Sequence, residues 1–235
     1  MKRPAQDLDR EHGAAMPESA ITAHQLPRGR HGLPRETVIR SQRERILSAM
    51  AAAMAENGYV GTSVAAIIKR AGVSRETFYE QFRSKEDCFE AAYERAVELL
   101  ISRIGSTTEP DRKPGVSLSD RVDRLFGAYL EGVAAEPAYA RLYLVEVYAV
   151  GPKAIARRAA MQEEFVSRLA DLFGARTEEQ RFACHTLVAA LGAMVTARVA
   201  AEDIDGLLAL RQPLVDLVRR SGELFGASLC ADPTA

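Results

Sequence analysis

The residues able to do chemistry in this sequence crowd into one stretch, "AGVSRETFYEQFRSKEDCF", residues 71–89. Ser74, Arg75, Glu76, Thr77 and Tyr79 fall within two turns of a helix of 3.6 residues per turn, and Lys85 follows closely. An arginine presents a planar fork of donors that matches guanine O6 and N7, while a threonine can meet a phosphate or a thymine methyl. The Tyr79 hydroxyl and the Lys85 ammonium suit phosphate oxygens. Together these side chains could read and grip duplex DNA if one short helix held them proud of the surface.

The flanking sequence supplies that helix and its support. Ile46, Leu47, Met50, Ala51 and Met54 recur at helical spacing from about Ser41 and stop at Asn57-Gly58, which defines a first helix. Thr62 is the expected cap of a second, with Val64, Ile67 and Ile68 facing inward before Gly72 ends it. Ser74 caps a third, about Arg75 to Phe82, whose Phe78 and Phe82 share one side and are read as core. Two short helices joined at "AGVS" form a helix-turn-helix, whose second helix enters a major groove about 12 Å wide. An αα-hairpin with no nucleic-acid role is the alternative on spacing alone. Ser84 caps a fourth helix reaching about Arg103.

Bulk properties set the frame. The chain has 235 residues, 47% hydrophobic and 27% charged, which suits one or two globular domains. Few aromatics, no Trp and many Ala, Leu, Arg and Glu favour an all-α fold. The formal net charge of -1 advertises no nucleic-acid partner, yet Arg28, Arg30, Arg35, Arg40, Arg43 and Arg45 stand against only Glu36 and Glu44. That segment is either a solvated tail or an arm touching phosphate. Cys88, Cys184 and Cys230 show no CxxC spacing and fit a reducing cytoplasm. Nothing near Met1 resembles a signal peptide, and the uncharged run 186–197 is shorter than the roughly 20 residues of a membrane span, so a soluble, cytoplasmic protein is expected.

Residues 43–89, through "AENGYVGTSVAAI", "AGVSRETFYEQF" and "SKEDCF" in order, resemble the N-terminal DNA-binding domain of the TetR family of bacterial transcription regulators. The resemblance implies phosphate-contacting roles for Thr62, Tyr79 and Lys85, and a base-and-backbone role for Ser74, Arg75, Glu76 and Thr77. Glu76 departs from the small residue common there; a carboxylate near phosphate is repulsive unless it pairs with Arg75 or accepts from cytosine N4. Cys88 replaces the usual leucine, a mild change because a buried thiol packs as a small hydrophobe.

The domain reading is a basic, Pro- and Gly-rich extension over 1–38, expected to be mostly disordered, a DNA-binding domain over 39–86, a connecting helix over 87–104 and a helical domain over 119–228. Residues 105–118 read as a flexible link. Helices are expected at 119–134, 137–148, 152–173, 178–201 and 207–226, the last either starting near Gln212 or bent at Pro213. In the resembling family the C-terminal domain dimerises and holds an effector. Dimer contacts are expected from Leu187, Leu191, Met194, Leu214, Leu217 and Val218, although the same seams could be internal core. Tyr129, Tyr139, Tyr143, Tyr148, Met161 and Phe165 are the candidate effector-pocket residues, plain core being the alternative.

No Gly-rich phosphate loop, HExxH, GxSxG or Cys/His cluster of ligand spacing occurs, so no enzyme activity, cofactor or metal is expected. His185 reads as a satisfied histidine. The function expected is a homodimeric repressor on a palindromic operator in double-stranded DNA, released by a small-molecule effector. The competing class is a helical-bundle carrier or enzyme without DNA binding.

Overall fold

The computed structural model describes residues 34–108 and 116–226. In chain order these form α1 (Arg35–Gly61), α2 (Val64–Ala71), α3 (Arg75–Gln81), α4 (Lys85–Thr108), α5 (Leu118–Ala135), α6 (Pro137–Arg141), a π-helical turn (Leu142–Glu146), α7 (Val147–Val150), α8 (Pro152–Phe173), α9 (Glu178–Ala200), α10 (Ile204–Leu208), α11 (Arg211–Arg220) and α12 (Gly222–Phe225). Among the described residues there is no strand, as the composition implies.

The apolar stripe of α1 organises the N-terminal half. Ile46, Met50 and Met54 are fully buried, and Ile67 of α2, Phe78 of α3 and Cys88 of α4 close over the same core, also without exposure. Burial pushes the Cys88 thiol up to about 12, so it is packing and not a nucleophile. Two boundaries are corrected. Helix α1 already begins at Arg35, where the Pro34 carbonyl accepts from the amides of Thr37 and Val38, so residues 35–38 are ordered helix. The rest of the expected N-terminal extension, with Arg28 and Arg30, lies outside the described residues, as does Cys230. Helix α4 runs past its expected stop through Gly105 to Thr108, and residues 109–115 of the expected link are likewise undescribed.

In the C-terminal half α5 lies between α4 and α11, and α8 packs on α9. The sequence signals place α8 well: Pro152 occupies its first turn and Gly174 ends it in the left-handed region. The span 137–148 is helical as expected and runs on to Val150, but widens into the π turn between α6 and α7. At Pro213 the structure decides for a helix that starts just before it, since α11 begins at Arg211 and the proline sits in the first turn, where its missing N–H costs nothing. Helix α9 is long and apolar enough by composition to cross a membrane. Its apolar residues divide between two faces: Leu187, Leu191, Val195 and Val199 are buried, whereas Phe182, Ala189, Ala190, Ala193, Met194 and Ala197 are exposed.

A bidentate pair latches α11 to α5, with Arg211 donating to both carboxylate oxygens of Asp123 at 2.9 and 2.7 Å. Gly127 makes room for it, because a Cβ there would come within 2.7 Å of the guanidinium. The Arg211 hydrogen bonds hold the Asp123 carboxyl below its usual range. A depressed carboxylate stabilises fully above its unfolded pKa of about 3.9 and loses that contribution as pH falls through the folded value. Asp123→Asn is therefore expected to melt below the wild type near pH 7, by no more than about 1 kcal/mol at these half-exposed side chains. The difference should vanish in acid, as followed by circular dichroism melts across pH.

Candidate nucleic-acid interface and ligand cavity

Gly72 takes φ 63° at the end of α2, and its amide returns to the Ile68 carbonyl, so the chain reverses within two residues. Ser74 then caps α3: its hydroxyl accepts from the Thr77 amide at 3.0 Å and lies 2.9 Å from the Thr77 hydroxyl. Beneath the helix, Phe78 and Phe82 are buried with ring centroids 5.6 Å apart, and the Arg43 guanidinium covers Phe82 at 4.6 Å. That anchor fixes which side of α3 faces out. Ser74, Arg75, Glu76 and Tyr79 are exposed and Thr77 is half-buried, so the expected reading residues share one open surface. Arg75 rests 5.3 Å above the Tyr79 ring, which itself stands edge-on to Phe78. Such stacking leaves the guanidinium edge free while limiting its rotamers. Glu76 is exposed beside Arg75, and among the described residues no ion pair joins the two.

Two expected phosphate contacts change meaning. Thr62 is only 2% exposed and its hydroxyl donates to the Gly58 carbonyl at 2.7 Å, so it braces the turn after α1. The cap of α2 is its neighbour Ser63, which is exposed and accepts from the Ala66 amide at 3.2 Å. The expected cap Thr62 is therefore corrected to Ser63, because the Thr62 hydroxyl is buried on the Gly58 carbonyl and only that of Ser63 faces the open amides of α2. Lys85 is the other. Its ammonium lies 3.0 and 3.1 Å from the carbonyls of Tyr59 and Thr62 and 4.0 Å from the Tyr59 ring centroid. It clamps the α1–α2 turn against α4, and a phosphate contact could use only its remaining proton. Arg45 is similarly internal, donating to the Ala71 carbonyl, whereas Arg35 and Arg40 are exposed.

Between the C-terminal part of α4, α5 and α8 lies a cleft of about 490 Å³. Ile101, Ile104, Leu125, Met161, Phe165 and Leu172 give it apolar walls, with Arg121 and Arg168 among its polar residues. Met161 and Phe165 also line a much smaller cavity holding Tyr129, Tyr143 and Arg158. Tyr139 and Tyr148 do not join the cleft: Tyr139 is buried toward α4 and Tyr148 is 55% exposed on α7. No group of three or more His, Cys, Asp or Glu able to hold a metal occurs among the described residues.

Residues 46–92, the support and reading helices together, match the family model described as "Bacterial regulatory proteins, tetR family". This N-terminal domain is a TetR-family DNA-binding domain. Among solved structures, a TetR-like transcriptional regulator from Rhodococcus sp. RHA1 is 21% identical, covering 78% of this chain and 96% of that one at a TM-score of 0.59. The fatty acid degradation regulator FadR from Bacillus halodurans is 21% identical over 75% and 94% of the two chains, with a TM-score of 0.63. FadR from Bacillus subtilis, in complex with stearoyl-CoA, is 19% identical over 74% and 96%, with a TM-score of 0.58. Among curated protein sequences none matches the chain.

The residues expected at a dimer contact are split. Leu187, Leu191, Leu214 and Val218 are buried within the protomer, which corrects their assignment to an intersubunit face. Met194 and Leu217 are exposed, and Phe182 and Leu224 more so, at 73% and 62%. The cleft residues on α4 were missed because Ile101 and Ile104 sit where that helix had been expected to stop, beside an unrecognised continuation through Gly105. Arg158 was missed because nothing in "AIARRAAMQEEF" tells which of its two adjacent arginines turns inward.

Proposed function

We propose that this protein is a homodimeric repressor that an apolar small molecule releases from a palindromic operator. The observation that carries the reading is the reach of α4. At its first turn Lys85 clamps the turn that precedes α2, and at its far end Ile101, Ile104 and Gly105 wall the cleft. A ligand that wedges the distal end of α4 away from α8 shifts the same rigid rod that holds the reading head. It weakens DNA binding by its difference in affinity between the two arrangements. A volume of about 490 Å³ with mostly apolar walls falls in the range of small-molecule sites. An effector with a long apolar chain accords with the stearoyl-CoA bound by Bacillus subtilis FadR.

Two-fold pairing is supported by the exposed apolar residues Phe182 and Met194 of α9, Leu217 of α11 and Leu224 of α12, with small residues on α9 that permit close helix approach. A dimer would set two copies of α3 about 34–36 Å apart, one helical turn of DNA. Fluorescence anisotropy on DNA upstream of the protein's own gene tests the proposal. Specific binding of a dimer supports it, and equal affinity for upstream and random DNA refutes it. Arg75→Ala is expected to cost about 1–3 kcal/mol on operator DNA and to relax preference at one base pair per half-site. Equal losses on operator and random DNA would show that Arg75 touches only backbone.

A further inference from the structure

Arg158 is the anomaly of the C-terminal domain. It is 8% exposed, its Nε is buried without a hydrogen-bond partner, and no carboxylate pairs with it among the described residues. Arg157 pairs with Glu94, Arg168 with Glu164 and Arg211 with Asp123, and Arg121 of the cleft, whose Nε also lacks a partner, is only half-buried where Arg158 is buried. A guanidinium remains protonated at any physiological pH, and a buried cation without an anion is a costly occupant of a core. Its one hydrogen bond is donated from Nη1 to the Tyr143 hydroxyl oxygen at 3.1 Å, with the guanidinium carbon 4.6 Å from that ring's centroid. Tyr143 therefore accepts from Arg158 and keeps its own proton to donate. Burial favours the neutral phenol, which preserves that proton.

The two groups face a small cavity that also meets Tyr129, Gln162 and Gly192. Met161 and Phe165 stand between it and the large apolar cleft, since both line each space. A methionine has three rotatable bonds and repacks readily, so Met161 is suited to yield and join the two.

We propose that the joined cavity takes an elongated apolar monocarboxylic acid, its carboxylate held by Arg158 and the Tyr143 hydroxyl and its chain lying in the cleft between α4, α5 and α8. This rests on the reading of that cleft as the effector site and adds the charge and orientation of the effector. The polar end, at about 20 Å³, is far too small for the nucleotide of an acyl-CoA, while a planar carboxylate asks only a modest opening toward the cleft. An acyl-CoA could enter only tail first, leaving Arg158 without an anion.

Calorimetric titration of the full-length protein with dodecanoate, dodecanol and dodecanoyl-CoA tests this, using wild type, Arg158→Met and Tyr143→Phe. Wild type is expected to bind dodecanoate at least tenfold more tightly than dodecanol. Arg158→Met should abolish that preference while raising the melting temperature, because it removes an unpaired buried charge in favour of an apolar side chain of similar length. Tyr143→Phe should weaken dodecanoate severalfold and leave dodecanol unchanged. If dodecanol binds wild type as well as dodecanoate, or if dodecanoyl-CoA binds both wild type and Arg158→Met equally and dodecanoate not at all, the Arg158 site is overturned and the cleft stands. If none of the three binds, both fall.

Discussion

Glu146→Ala is expected to lower the melting temperature by on the order of 10 °C and to weaken operator binding with it. The side chain belongs to the π turn of the C-terminal domain, yet its contacts reach into the reading head. Its Oε2 accepts the Tyr59 amide at 2.9 Å, and Oε1 lies 3.5 Å from Arg141 Nε. Residue 146 is 8% exposed and Tyr59 7%, so truncation strands a buried N–H and leaves a cation without its anion. Breaking a buried pair on one side costs about 3–5 kcal/mol. Tyr59 is also where Lys85 binds, so the loss is felt at the turn that positions α2. Glu146→Gln keeps an oxygen to accept from Tyr59 and loses only the charge, and should recover most of the stability. Melts by circular dichroism and operator anisotropy measure both. A Glu146→Ala variant that melts within a degree of wild type would show that the contact transmits nothing.

That contact was invisible beforehand, and the reason is general. The sequence marks events that are local: a serine before a helix, a glycine after one, a proline in a first turn. Hence Ser74, Gly72, Pro152 and Gly174 stand where expected. It does not mark events that depend on partners far along the chain. Residues 87 positions apart join Glu146 to Tyr59, and nothing in "ARLYLVEVYAV" announces that its helix widens into a π turn or that its glutamate turns inward. The same limit explains Thr62 and Ser63, equal as caps by type and separated only by what lies above them. It explains the pocket as well. Aromatic content pointed to Tyr139 and Tyr148, but the cleft is walled by ordinary aliphatic residues whose exposure is set by the spacing of three helices. On α9 both sides are apolar, so periodicity alone could not tell core from open surface.

The open side of α9 supports the other large effect. Pairing Phe182→Glu with Leu217→Glu is expected to yield a folded monomer that has lost operator binding. Both side chains are exposed, at 73% and 48%, so neither change opens a cavity and helicity should be retained. In a dimer the same positions would bring carboxylates into an apolar seam, where an uncompensated charge is strongly disfavoured. One reading helix alone keeps its contacts and loses the second half-site as an intramolecular event, a factor of about 10²–10⁴ in affinity. Binding to random DNA, which depends on phosphate contacts within one head, should change far less. Sedimentation velocity reports the assembly and anisotropy the affinity. A doubly substituted protein that still sediments as a dimer and holds its operator would place the subunit contact elsewhere and leave the apolar face of α9 without a partner.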